Sequence, residues 1–331
     1  VLVWEDGARV PLTASYSSGK REKEATAEAI RQFLHLLPNG YSYPTTSCLA
    51  FLKAGHNLTF EPVRARKAVL ADVPAPSLYL GLVGAEHLPA RLVSDLDAFE
   101  WDDATIKVDW ALNGPVPWTA AEVRGAGTVH LGGDFNGLAQ SSTEIACGRV
   151  PRSPFVIMGQ MTTTDPTRSP EGTETAWAYT HVPRGERWSA DRLRRRADRV
   201  EQVVEQHAPG FRDLIRARVV QGPEDLETRN RSLVAGSINS GTAAIHQQLV
   251  FRPIPGLGRA DTPVDRLYLT SASAHPGGGV HGASGANAAR AALARNGLAG
   301  DAYRLLLHTL HHHLYPESPT FRRRESYVRE P

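Results

Sequence analysis

A chain of 331 residues with 41% hydrophobic side chains can bury the core of one large domain or two smaller ones, which excludes disorder of the whole. A formal charge of +2, from 37 basic and 35 acidic residues, gives no field strong enough to mark a nucleic acid or an anionic membrane as the main partner. No uncharged apolar run approaches the roughly 20 residues that cross a bilayer, so any membrane contact is expected to be peripheral.

The N-terminal VLVWEDGARV has neither a basic start nor a long apolar stretch, so no signal peptide is read there and a cytoplasmic location is expected. Residues 20–40 have the spacing of an amphipathic helix, with Ala27, Ile30, Phe33, Leu34 and Leu37 three or four apart before the Pro38-Asn39-Gly40 stop. Asn57-Leu58-Thr59 fits a glycosylation sequon, whose use is not expected without a secretory signal. RKAVLADVPAP, residues 66–76, reads as a short buried strand ended by prolines, and residues 77–92 as helix and turns.

In ATIKVDWAL, Ile106, Val108, Trp110 and Leu112 alternate with Lys107, Asp109 and Ala111, the pattern of a half-buried strand in an antiparallel sheet. FVIMGQMTT, residues 155–163, supplies a second strand, and ETAWAYTHV a third with Trp177, Tyr179 and His181 on one face. Trp110, Trp177 and Tyr179 are read first as sheet core, with cavity lining as the alternative; Lys107 and Asp109 are read as a solvent-exposed pair. Ser189 then caps a surface helix carrying Leu193, Ala197, Val200 and Val204 and ending near Ala208-Pro209-Gly210. Its RLRRRADR run is taken as the solvated face, with anion binding as the alternative.

From residue 265 onward, RLYLTSA reads as a strand, HPGGGVHG as a glycine-rich turn and ASGANAARAALARNG as a helix, followed by a further helix over residues 301–315 and a basic tail. His308 and His312 lie one helical turn apart, beside His311 and His313, but no third ligand is evident, and Cys48 and Cys147 have no CxxC partner; no metal site is expected. Gly277, Gly279 and Gly282 satisfy G-x-G-x-x-G. The segment after the helix looks helical rather than extended, so Asp301 sits on the wrong kind of element for a Rossmann ribose partner and that reading is rejected. The local physics is still that of an anion or ring-oxygen site, because a glycine turn bares backbone N–H groups at a helix N-terminus.

DRLYLTSASAHPGGGVHGASGANAARAAL resembles the C-terminal flavin-contacting segment of phytoene desaturase-like FAD-dependent oxidoreductases, where a strand ends in a histidine, proline and glycine-rich loop beneath the flavin. The likeness extends through LVFRPIPGLG and GSINSGTAAIHQQ, and more loosely through WDDATIKVDWALNGPVPW back to RKAVLADVPAPSLYLGLVG, over residues 64–297. It implies an α/β chain with an inserted α+β substrate domain, on an FAD/NAD(P)-binding, glutathione reductase-like fold. Residues 1–62 do not match the family's N-terminal βαβ unit, so the fold is expected to lack it. The implied division is an unassigned segment at 1–62, a return strand of the FAD domain at 63–75 and a substrate domain at 76–261. An FAD-contacting strand, loop and helix at 262–300 and a C-terminal helix with basic tail at 301–331 complete it.

On this resemblance the cofactor is FAD, approached by His275, Pro276, Gly277, Gly278, Gly279 and Val280, with the helix start from Gly282 to Asn287 able to stabilise charge on the reduced ring. His275 and His281 are candidates for proton exchange, or simply loop hydrogen bonders. Asn239, His246, Gln247 and Arg252 lie at the implied boundary of the substrate cavity, where each either orients a ligand or caps a turn. The expected activity is hydride removal from an apolar small molecule to flavin, with a quinone or oxygen as acceptor. The alternatives are a truncated, inactive fragment that keeps a substrate-binding domain, and an amine oxidase-type flavoenzyme, against which the HPGGG loop weighs.

Overall fold

Alternation of buried with more exposed residues over Ile106–Leu112 and Glu174–Val182 marks the two longest strands among the described residues, Ala104–Leu112 and Glu174–Val182, which are neighbours in one antiparallel sheet. The computed structural model describes residues 63–65, 67–295 and 297–315, with short pieces at 2–3, 9–10 and 47–48. The helix expected over 20–40, the sequon at 57–59 and the basic tail lie outside the described residues. Apart from two-residue strands at Leu2–Val3, Arg9–Val10, Ser47–Cys48 and Val63–Arg64, the strands among the described residues are β1 (Val69–Ala71), β2 (Ala104–Leu112), β3 (Thr128–Leu131), β4 (Val156–Gln160), β5 (Glu174–Val182), β6 (Ile215–Gln221) and β7 (Leu267–Leu269). The α-helices are α1 (Ala90–Asp97), α2 (Phe135–Ala146), α3 (Ala190–His207), α4 (Pro223–Arg229), α5 (Ala283–Ala294) and α6 (Gly297–Leu314). A π-helical turn, Ser77–Gly84, follows the proline-rich exit of β1.

Five strands form one antiparallel sheet in the order β6-β2-β5-β4-β3. Helix α3 covers one face of it. Ser189 caps α3 by accepting from the Arg192 N–H, and Ala197, Val200, Val203 and Val204 on its buried side meet Val108, Trp110, Leu112, Val156 and Met158 of the sheet. Burying aliphatic side chains the size of valine or leucine is worth about 1.5–3 kcal/mol each, so this layer contributes substantially to stability. The opposite face is half-exposed and carries Lys107, Asp109, Trp177, Tyr179 and His181. Trp110 is therefore core, as expected, whereas Trp177 and Tyr179 are not: they stack at 5.9 Å between ring centroids on the open side. Lys107 and Asp109 are hydrogen-bonded to each other and half-buried there.

Glu205, near the end of α3, accepts hydrogen bonds from the backbone N–H groups of Arg212 and Gly210, which hold its carboxyl below the usual carboxylate range. A depressed carboxyl contributes stability above its unfolded-state pKa and loses it as pH falls through the lower folded value. Glu205→Gln is therefore expected to flatten the acid limb of the stability curve; melting temperatures measured between pH 7 and pH 3 check this, and parallel curves would refute it.

A second layer joins the two ends of the described chain. β1 and β7 pair in parallel, Val69 opposite Leu267 and Ala71 opposite Leu269, and β7 leads through a loop into α5. The strand expected from RLYLTSA is shorter than that run: beyond Leu269 the buried Ser271 Oγ accepts from the Ser273 N–H in a local turn, and Ser273 bonds to distant segments. Ala75, Leu78, Tyr79, Leu92, Leu96, Ile254, Leu257, Leu269 and Tyr315 form the core beneath this layer.

Candidate functional site

Residues 270–282, between β7 and α5, are anchored from below and open above. Ser273, fully buried, accepts from the Ala75 N–H at 3.0 Å and donates to the Ser240 carbonyl at 2.9 Å, fastening three distant segments at one hydroxyl. Ser284, in the first turn of α5, donates to the Ala274 carbonyl at 3.1 Å. Above these anchors Gly278, Gly279, Val280, His281 and Gly282 are all exposed.

Arg252 organises the floor. It is 1% exposed; Nε donates to the Ala272 carbonyl, Nη1 to Thr242, and Nη2 to Asn239 and Gly241, over 2.8–3.2 Å. Desolvation pushes its guanidinium pKa down, partly opposed by the nearby Asp102 carboxylate. All three nitrogens are committed to backbone, so the side chain acts by holding residues 239–242 against the loop. Gln247 behaves alike: its amide accepts from the Glu100 N–H at 2.9 Å and donates to the Glu100 carbonyl at 2.8 Å. His246 is exposed, with Nε2 3.2 Å from the Glu100 carboxylate.

Asn239 is the expected cavity residue that directly faces the loop. Its Nδ2 donates to Asp102 Oδ2 at 2.7 Å, which aims its Oδ1 at Gly278. A Cβ on Gly278 would sit 2.3 Å from that oxygen, and one on Gly277 3.2 Å from Arg252 Nε. Glycine is thus required here by the protein's own close approach. Asp102 is 7% exposed; its role depends on Asn239, 137 positions away, and no local sequence signal announces it.

The two loop histidines differ. His281 Nδ1 accepts from the Ala283 N–H at 2.9 Å, so the imidazole caps the start of α5 and its proton lies on Nε2. His275 Nδ1 is buried without a hydrogen-bond partner, and its carbonyl faces Asn287 Nδ2 at 3.5 Å. Pro276 follows it in an exposed position. The remaining amides of the first turn of α5 carry the positive end of a 12-residue helix next to the bared glycine backbone. An anionic or oxygen-rich ring edge fits such a place, and the exposure of residues 278–282 leaves room for one.

A separate hollow of about 440 Å³ lies between residues 261–268 and α6, bordered by Arg304, His308 and His311. Burial and the neighbouring histidines push His311 down, opposed by Asp261. Among the described residues no group of three or more His, Cys, Asp or Glu could hold a metal ion, and no helix is long and apolar enough to cross a membrane.

Comparison with known proteins gives a consistent set of relatives. The chain is 30% identical over 243 residues to the rat pyridine nucleotide-disulfide oxidoreductase domain-containing protein 2, covering 69% of this chain and 42% of the relative. It is 29% identical over 210 residues to the neurosporene-forming phytoene desaturase of Rhodobacter capsulatus, covering 59% of this chain and 38% of that protein. The chain thus spans less than half the length of these curated relatives. No family model matches. A solved oxidoreductase from Methanosarcina mazei aligns over 70% of this chain and 43% of its own, with a TM-score of 0.36 and 12% identity.

Proposed function

Because this chain is a phytoene desaturase-like relative, homologous to phytoene desaturases and to pyridine nucleotide-disulfide oxidoreductase domain proteins, we propose that it serves an FAD-dependent oxidoreductase and holds the flavin ring on its exposed glycine loop. The observation that carries the reading is the loop itself: bared backbone at Gly278 and Gly279, set at the N-terminus of α5 and pinned from beneath by Arg252, Ser273 and Asn239. When bound, FAD supplies the acceptor for a hydride taken from substrate. The chain's part is to bind and orient. The Gly277–Gly279 backbone and Val280 would lie against the ring, and the first-turn amides of α5 would face its polar edge. Asn239, aimed by Asp102, would set the height of the loop.

The substrate in this reading is an apolar small molecule lying against the open side of the five-stranded sheet, where Trp177 and Tyr179 offer stacked, half-buried rings. A quinone or oxygen is the proposed final acceptor. His281 caps α5, so proton handling is assigned to neither loop histidine; the half-buried His275 acts through its ring and carbonyl to shape the turn.

Riboflavin, which presents the ring and its ribityl chain without phosphate or adenosine, and FAD are the probes. Titration followed by flavin fluorescence is expected to give saturable binding in the parent protein, weakened at least about tenfold in Val280→Glu, which sets a carboxylate against the ring at a fully exposed position. Circular dichroism should stay unchanged. Equal flavin binding by the folded variant would sink the assignment of the loop.

A further inference from the structure

The hollow of about 440 Å³ between residues 261–268 and α6 lies beside the entry to β7, whereas the glycine loop follows its exit. Its apolar walls come from Val264 and Leu267 on the approach to the strand and from Leu305 and Leu307 on the helix. A hollow of this volume with a mixed lining holds a small organic molecule. Leu305 is 68% exposed and the Asp265 side chain 42%, so the hollow is open to solvent at these two borders.

The polar groups around it differ in the hydrogen-bonding capacity they have left. Asp261 accepts from Arg295 Nε at 3.1 Å and from Nη2 at 3.2 Å, and Asp301 accepts from Arg304 Nη2 at 2.7 Å, so these two carboxylates are engaged. Asp265 is not. It faces Arg266 and Arg304 only at 3.8 Å, outside hydrogen-bond range. Tyr268 is 3% exposed, yet its hydroxyl makes no hydrogen bond among the described residues. Burial, and then the Asp261 carboxylate, raise the pKa of that hydroxyl, with Asp265 adding to them. The OH end of the ring therefore stays neutral and stands among the charged groups of the hollow. Burial, only partly opposed by Asp261, holds the His311 imidazole below its usual pKa, so it adds no positive charge at neutral pH. The open capacity is thus on the acceptor side: one unshared carboxylate and one phenol oxygen.

We propose that this hollow binds an organic ammonium ion with an apolar body, its N–H groups donating to the Asp265 carboxylate and the Tyr268 hydroxyl and its hydrocarbon lying against Leu267 and Leu305. An ammonium carries three donors, enough for both oxygens, and a charge-assisted bond to a carboxylate is the stronger kind. The site is separate from the glycine loop and does not depend on flavin.

The probe is hexylammonium chloride, titrated into the full 331-residue chain at constant ionic strength and followed by saturation-transfer NMR, with hexanoate and hexanol as parallel arms. Saturable binding of hexylammonium is expected, with no saturation by hexanoate and hexanol at least about fivefold weaker. Asp265→Asn keeps the shape of an exposed side chain that makes no hydrogen bond, and should weaken hexylammonium by about fivefold. Tyr268→Phe removes only an unpartnered hydroxyl, so folding is not at stake, and should weaken it about two- to threefold. Glu122→Gln, which alters an exposed carboxylate that does not border the hollow, should bind like the parent. No saturable hexylammonium binding, an equal affinity for hexanoate or hexanol, or an affinity unchanged in Asp265→Asn or Tyr268→Phe would overturn the assignment.

Discussion

Arg252→Met is expected to destabilise the protein by about 3–5 kcal/mol, because it leaves an array of buried acceptors without its donor. Four carbonyls, those of Asn239, Gly241, Thr242 and Ala272, share this one guanidinium, and the side chain is 1% exposed. Methionine restores volume and no hydrogen bonds. Arg252→Lys should recover only a minor part of the loss, since one ammonium cannot span acceptors placed around a planar fork. Urea denaturation measures both. A midpoint for Arg252→Met close to that of the parent would mean the carbonyls find other donors and that the floor of the loop is not built as described.

A loss of about 3–5 kcal/mol is also expected for Trp110→Ala, here by opening a cavity at the centre of the sheet and helix layer. The indole is 1% exposed, meets Phe211 edge to face at 5.3 Å, and donates from Nε1 to Glu201 Oε1 at 3.0 Å. Glu201 also accepts from Arg218 at 2.9 Å, so the carboxylate keeps one partner after the truncation. Trp110→Phe separates the two contributions: it retains most of the packing and loses the hydrogen bond, for an expected cost of about 1–2 kcal/mol. Thermal and chemical unfolding should rank parent, Trp110→Phe and Trp110→Ala in that order; comparable stability of the two variants would put the energy in the hydrogen bond rather than in the burial.

The elements legible in the sequence are those whose stabilisation is local or periodic. Alternation placed β2 and β5, and the Ser189 cap with four regularly spaced apolar residues placed α3. Strand β6 escaped because Arg216, Ala217 and Val219 are exposed on an edge, where no alternation is enforced. Strand β3 has only four residues, and α2 carries a run of small and polar side chains with a single buried residue, Ser141. Period alone groups Trp177, Tyr179 and His181 on one face but cannot say which side of a sheet a helix will cover, and so Trp177 and Tyr179, read first as sheet core, lie on the open face. Of the candidate site, the glycine loop was readable from its own residues. The roles of Asp102, Arg252 and Gln247 were not, because each is defined by partners far off in the chain.

The bond between the Ala75 N–H and Ser273 Oγ spans 198 positions, as does the parallel register of β1 on β7. During synthesis all five strands of the antiparallel sheet leave the ribosome before β7 exists. At ordinary elongation rates, the stretch from the end of β6 to the end of β7 takes roughly 2–10 s. Through that interval β1 waits with an unpaired edge and with Leu70 open to solvent, a template for any passing strand. The loop proposed for flavin is consequently assembled only after the antiparallel sheet, so a nascent chain that stalls short of residue 273 would present a finished sheet and no site.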